Sequence, residues 1–428
     1  MNTADLIAAL QQKKLNLVEY VNEICDRIER EESTLQAIVP GTYDREALLS
    51  QATECSLRDP DNQPLYGLPI GVKDIFRVDG YPTTCGSRLP VETFRGTESH
   101  VVTLLKKAGA IVVGKTITTE FAAFHPGPTT NPANPLHTPG GSSSGSAAGV
   151  AKGYFPFAFG SQTIGSIARP ATFCGVVGVK PSYGRVSAEG VIEYSRTMDH
   201  VGWLCEDTSA LNHFSQVLIN NWRGLSAEIL PANRSIGVPE GPYIGCASAL
   251  ELQRFAKILD QLKEFGISIV PCPVLEDFET IRSEHQQIIM AELSDVHRDW
   301  FADHQELYSE ALAELIVAGQ KVDRQELARM VEARKQVRSA LMQRMDEAGV
   351  DALIAPGAVD VAPRGIESTG DPVMNLPWTY TGLPSVSLPC RPTSATMPHG
   401  VQLIGRFNQD EELFALADLI ASHVRIDA

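Results

Sequence analysis

The sequence predicts an α/β fold in a single domain, with a largely parallel or mixed sheet. Three observations carry that expectation. Short apolar runs of strand length alternate with stretches of helical period through the first half of the chain. A hydrophobic fraction of 43% over 428 residues supplies material for one wide core. No repeat, low-complexity tail or clean linker divides the chain, so residues 1–428 read as one unit.

In chain order, Leu6, Leu10, Leu15, Val18, Val21, Ile24 and Ile28 recur at helical spacing in two phases, which predicts helix over residues 3–30 with a break near Lys13 to Asn16 and Thr3 as a cap. A second helix is expected over 44–57, ahead of the turn Asp59-Pro60-Asp61-Asn62-Gln63-Pro64. Residues 68–76 read as a buried strand carrying Lys73, and a lysine in such a run must snorkel, pair or work. A helix over 98–108 leads to a strand at 110–113 ending at Gly114. Residues 124–141, rich in Pro and Asn, form a long loop that delivers a Gly/Ser stretch. Helix is expected at 146–151 and strands at 154–159 and 176–179. Helices follow at 248–265, 281–299, 304–318 and 323–348, then a strand at 352–354, a Gly/Pro loop up to Pro377, strands at 386–388 and 401–404, and a closing helix at 409–424.

Charge and composition narrow the function. A formal net charge of -16 and a pI near 5.1 argue against a surface for nucleic acid or anionic membrane, and so favour a small-molecule substrate. The eight cysteines show no Cys-x-x-Cys spacing, so they read as buried thiols of a reducing compartment. The N-terminus has no basic start followed by an apolar core, and no apolar run reaches the length of a membrane span, so a cytoplasmic protein is expected. No cofactor and no metal ligand set is indicated.

Two motifs mislead. Gly109-Ala110-Ile111-Val112-Val113-Gly114-Lys115-Thr116 matches the phosphate-binding G-x-x-x-x-G-K-[ST] pattern, but Ala-Ile-Val-Val is strand material where a flexible loop is required. Gly141-Ser142-Ser143-Ser144-Gly145 matches the nucleophile elbow G-x-S-x-G, yet Asn134 to Pro139 before it cannot be the strand an elbow needs, and His137 reads as a loop residue.

What remains is Lys73, Ser142 in one Gly/Ser loop (Pro139 to Gly149) and Ser166 in a second (Gly160 to Pro170). Two such loops gather backbone N–H groups and hydroxyls in one small volume, which suits negative charge. Their strings resemble the amidase signature family: Gly67-Leu68-Pro69-Ile70-Gly71-Val72-Lys73-Asp74, then Gly140 to Ala148, then Gly165 to Ile167, Phe173 to Gly175 and Gly178 to Pro181. The likeness runs from the N-terminal helix to Gly405.

The resemblance implies a large mixed central sheet flanked by helices on both faces and a Ser-Ser-Lys triad. In it Ser166 is the nucleophile, Ser142 the bridging serine and Lys73 the base. It also implies a cis Gly141–Ser142 peptide and an oxyanion hole from the N–H groups of Thr163, Ile164, Gly165 and Ser166. The residue types suit that chemistry, because a lysine can take a serine's proton only when neutral, and an apolar strand supplies the desolvation. The chain departs from the family's usual pattern at Gln162, where Asp is common, and at Ile164, where Gly is common. Arg169 stands three residues after Ser166, as in the bacterial malonamidases of that family. It then either receives a substrate carboxylate or braces the loop through carbonyls.

The expected activity is hydrolysis of a small carboxamide, favouring one with a free carboxylate such as malonamate, with ammonia released. Alternatives are an amidotransferase component of the A type working in a complex, a hydrolase of another small amide or urea-derived compound, and a non-catalytic binding protein. Gln287, on the expected helix 281–299, is a candidate substrate contact. Relatives in the family suggest a homodimer.

Overall fold

The computed structural model describes residues 1–225, 234–390 and 397–423. Its frame is one ten-stranded sheet: β1 Pro69–Lys73, β2 Ile111–Thr116, β3 Phe157–Gln162, β4 Val177–Lys180, β5 His200–Cys205, β6 Ser235–Glu240, β7 Ser268–Pro273, β8 Ala352–Pro356, β9 Ser385–Cys390 and β10 His399–Ile404. They lie in the order β2-β1-β3-β5-β4-β9-β10-β8-β6-β7. β1 runs parallel to β2 and β3, and β6 runs parallel to β7 and β8, while the strands between pair antiparallel. The sheet is mixed and helix-flanked, as the resemblance implies.

The N-terminal helices Thr3–Gln11 and Leu17–Leu35 are separated where the two hydrophobic phases meet. Asn2, and not Thr3, caps the first: its Oδ1 accepts from Asp5 N at 2.8 Å, while Thr3 is tied to Asp207. The expected helices at 44–57, 98–108, 248–265 and 323–348 appear as Arg45–Ser56, His100–Lys107, Ala249–Glu264 and Arg324–Glu347. The stretch expected as helix 281–299 runs from Phe278 to Val296, and that at 304–318 begins only at Glu310. The closing helix is Asp410–His423; residue 424 lies outside the described residues. Three strands have no counterpart in the sequence reading: β5, β6 and β7. In the last two, Pro239, Pro271 and Pro273 suppress the strand signal, and β7 tolerates its prolines because it is an edge.

Both misleading motifs resolve as structure. β2 continues past Gly114 to Thr116, beyond the expected end. Lys115 Nζ is locked 2.7 Å from Asp74 Oδ1, both side chains fully buried, with Thr83 Oγ1 and Pro82 O completing its bonds. Ser144–Ala151 is a helix entered from a loop, and in that loop His137 Nδ1 meets Ala362 O of a distant segment.

The helices Ser144–Ala151 and Ala168–Cys174 pack against each other. The first lies on β1, β2, β3 and β5, the second on β4, β9 and β10. Gly145 permits the close approach of the first: a Cβ there would stand 2.1 Å from Ala37 O and 2.5 Å from Ile117 N.

Candidate active site

Three parallel strands point their carboxyl ends at one spot, the place where α/β sheets hold ligands. Lys73 is the last residue of β1, and Ser161 and Gln162 end β3. Lys73 Nζ lies 2.7 Å from Ser142 Oγ and 2.8 Å from Ser161 Oγ, with no exposed surface. Desolvation pulls this amine down to about 7, against a weaker upward pull from Asp199. A neutral amine can accept a proton from either hydroxyl.

The two Gly/Ser loops are stitched together. Ser143 N donates to Ser166 O at 3.3 Å, and Arg169 Nη2 donates to Gly141 O at 2.7 Å. The Gly141–Ser142 peptide is cis. Ser166, almost buried, lines a cavity of about 10 Å³ together with Thr163, Ile164, Arg169, Tyr194, Pro372 and the segment Ala122 to Phe124. That space holds about one water.

The loop between Gln162 and Ile167 is held from every side. Gln162 Oε1 accepts from the amides of Ile167 and Ala168, both at 2.9 Å, and its Nε2 donates to Thr379 Oγ1 at 3.0 Å. Thr379 Oγ1 donates to Ile164 O at 2.6 Å, and His285 Nε2 donates to Thr163 O at 2.9 Å. Thr163 Oγ1 donates to Asp199 Oδ1 at 2.5 Å. With the carbonyls of Thr163 and Ile164 and the amides of Ile167 and Ala168 engaged, the amides from Thr163 to Ser166 are left without a partner among the described residues. Such a nest of N–H groups stabilises an oxyanion. Gln162 thus supplies the hydrogen bonds without the charge of Asp. Ile164 is not among the residues in the left-handed region, so its side chain meets no backbone conflict. Gly165 is needed for closeness: a Cβ would sit 2.5 Å from Asn375 Oδ1.

Burial sets the other titrations. Desolvation raises Asp199 to about 6 and lowers His285 to about 4, so that His285 is a neutral donor at pH 7. Arg169, lowered to about 10 by burial, stays charged. Its Nη1 donates to Gly370 O at 2.7 Å and its Nη2 to Gly141 O and Thr369 Oγ1, which uses three of five N–H groups. The brace is therefore real, and Nε has no partner among the described residues although Arg169 lines the cavity.

Gln287 is not brought here. Its Nε2 bonds Ser283 on its own helix, and the cavity wall does not include it. His285, two residues earlier and on the opposite side of that helix, is the residue that reaches the loop. The sequence reading also missed Ser161, Asp199, Tyr194 and Thr379. Ser161 had a signal, since it shares a strand face with Phe157 and Phe159 and follows the period of 2.

The amidase family's sequence profile matches residues 19–414. This chain belongs to the amidase signature family. It is 29% identical over 482 aligned residues to the A-type component of a glutamyl-tRNA(Gln) amidotransferase from Psychrobacter cryohalolentis, covering 99% of this chain and 96% of the relative. It is 32% identical to the same component from Synechococcus sp. strain WH7803, over 96% of this chain and 95% of that one. An amidase of known crystal structure superimposes with a TM-score of 0.88 at 27% identity, over 99% of this chain and 100% of the other. The expected kinship with malonamidases in particular is not what these relatives display; they are amidotransferase components and an amidase. As a family member, the chain is a serine amidase acting on linear amide C–N bonds.

Proposed function

We propose that Ser166 is the nucleophile, Ser142 the proton relay and Lys73 the base, acting on a small carboxamide. The observation that carries this reading is the buried 2.7 Å contact between Lys73 Nζ and Ser142 Oγ. Neutral Lys73 takes the proton of Ser142, which takes that of Ser166 as its Oγ attacks the amide carbon. The oxyanion lies against the amides of Thr163, Ile164 and Gly165. The proton then returns through Ser142 to the amide nitrogen, the C–N bond breaks and ammonia leaves. Water, deprotonated along the same route, cleaves the acyl-enzyme to the acid and restores Ser166.

A cavity of about 10 Å³ must widen to admit substrate, and a small amide asks for the least widening. The favoured substrate carries a carboxylate, as malonamate does, because Arg169 is a buried cation whose described partners are neutral oxygens. Ammonia release from a panel of small amides tests the reading. Ser166→Ala should abolish it and prevent labelling by a fluorophosphonate probe; full activity in that variant refutes the assignment. Arg169→Ala should lose more on carboxylated than on neutral amides, and an equal loss leaves Arg169 as a brace alone.

A second reading is favoured by the relatives' names: an amidotransferase component of the A type whose site works within a complex. Co-purification with a second protein, and amide hydrolysis only in that complex, would establish it.

A further inference from the structure

Beside Ser166, two buried donors are left idle. Tyr194 is 2% exposed and Arg169 3%, both line the same small cavity, and neither Tyr194 OH nor Arg169 Nε has a hydrogen-bond partner among the described residues. A buried donor without a partner costs about 1–3 kcal/mol, so two such donors on residues that line one void with a nucleophile point to an acceptor that arrives with the substrate. The cavity's other polar side chain besides Ser166, Thr163, is already committed to Asp199.

The charge of that acceptor follows from Arg169. Its described hydrogen bonds go to two carbonyls and a hydroxyl, so its positive charge is buried without an anion bonded to it, and Asp371 acts on it only through space. The Nη2 hydrogens are both used, and the fork formed by Nε and Nη2 is closed to a bidentate carboxylate. One carboxylate oxygen can still accept from Nε–H. The other needs a separate donor, because the remaining Nη1 hydrogen lies outside that fork.

We propose that Tyr194 is that donor, a specificity-determining residue whose O–H binds the second oxygen of a substrate carboxylate held by Arg169 Nε. This rests on the reading of Ser166 as an amidase nucleophile and specifies its substrate class: the monoamide of a short dicarboxylic acid. The wall residues Ala122, Ala123 and Pro372 offer no competing polar side chain.

The test compares Tyr194→Phe with wild type on malonamate, malonamide and propionamide, with malonate as a competitive inhibitor of propionamide hydrolysis. Removing a hydroxyl that bonds nothing in the free enzyme should leave the thermal midpoint unchanged or slightly higher. KM for malonamate and the inhibition constant of malonate should each rise about tenfold, as befits one charge-assisted hydrogen bond. On propionamide, which has no carboxylate, the loss in kcat/KM should be clearly smaller than on malonamate. Unchanged malonamate and malonate constants overturn the proposal, as does an equal loss on all three amides with a lowered midpoint, which marks Tyr194 as structural. A wild-type enzyme that cleaves propionamide but neither hydrolyses malonamate nor binds malonate overturns it while leaving the amidase reading intact. Absence of ammonia release from every amide overturns the reading of the isolated chain as a small-amide hydrolase, and the proposal with it.

Discussion

Activity should titrate with Lys73, and stability should respond in the opposite sense when that lysine is removed. Burial lowers the amine from 10.5 to about 7. Keeping the ammonium in this site therefore costs about 5 kcal/mol relative to water. In return, the neutral fraction at pH 7 rises from about 1 in 3000 to about one half. Below pH 7, kcat/KM for a neutral amide should fall about tenfold per pH unit, with a plateau above pH 8. The assay is initial-rate ammonia release between pH 5 and 9 on propionamide, whose own charge does not change. Asp199 raises the Lys73 value, so Asp199→Asn should move the acid limb to lower pH.

The stability sign follows from linkage. Between about 7 and 10.5 the unfolded chain holds a proton on Lys73 that the folded chain does not, so this side chain's contribution to stability rises with pH across that window. Lys73→Met removes the penalty. The variant should lose activity yet gain stability relative to wild type as the pH falls from 10.5 to 7, by up to about 5 kcal/mol less the two hydrogen bonds to Ser142 and Ser161. Denaturant melts at pH 7 and pH 10 measure the gap. A flat rate profile between pH 5.5 and 8, or a gap that shrinks toward pH 7, refutes the reasoning.

Two further outcomes concern the supports of the site. Gln162→Ala strips acceptors from two buried amides and a partner from Thr379, so urea unfolding should show a loss of about 2–4 kcal/mol, with kcat falling as the loop loosens. Lys115→Met leaves the buried Asp74 without its ion-pair partner, which should cost about 3–5 kcal/mol in the same measurement, whereas ATP should give no thermal shift with wild type.

How much of this was legible depends on where each group's partners lie in the chain. Lys73, Ser142 and Ser166 stand in strings whose chemistry is local, a lysine in an apolar strand and serines in Gly-rich loops, and the strings expose them before any contact is known. Asp199, Tyr194 and Thr379 act through contacts with residues about 30 to more than 200 positions away, and no local pattern marks them. The prolines of β6 and β7 hid two strands, and at β7 a strand rule written for sheet interiors fails because that strand is an edge. The choice of Gln287 over His285 is different, for there the signal was present. Ile281, Ile288 and Glu292 belong to the buried face of the helix Phe278–Val296, and His285 falls on it at the i, i+4, i+7 spacing while Gln287 does not. A polar residue inside an apolar stripe must find a partner or forfeit the energy of burial, whereas one beside the stripe is already solvated. Helical phase, applied to the polar residues as well as the apolar ones, therefore selects His285 as the side chain that fixes Thr163.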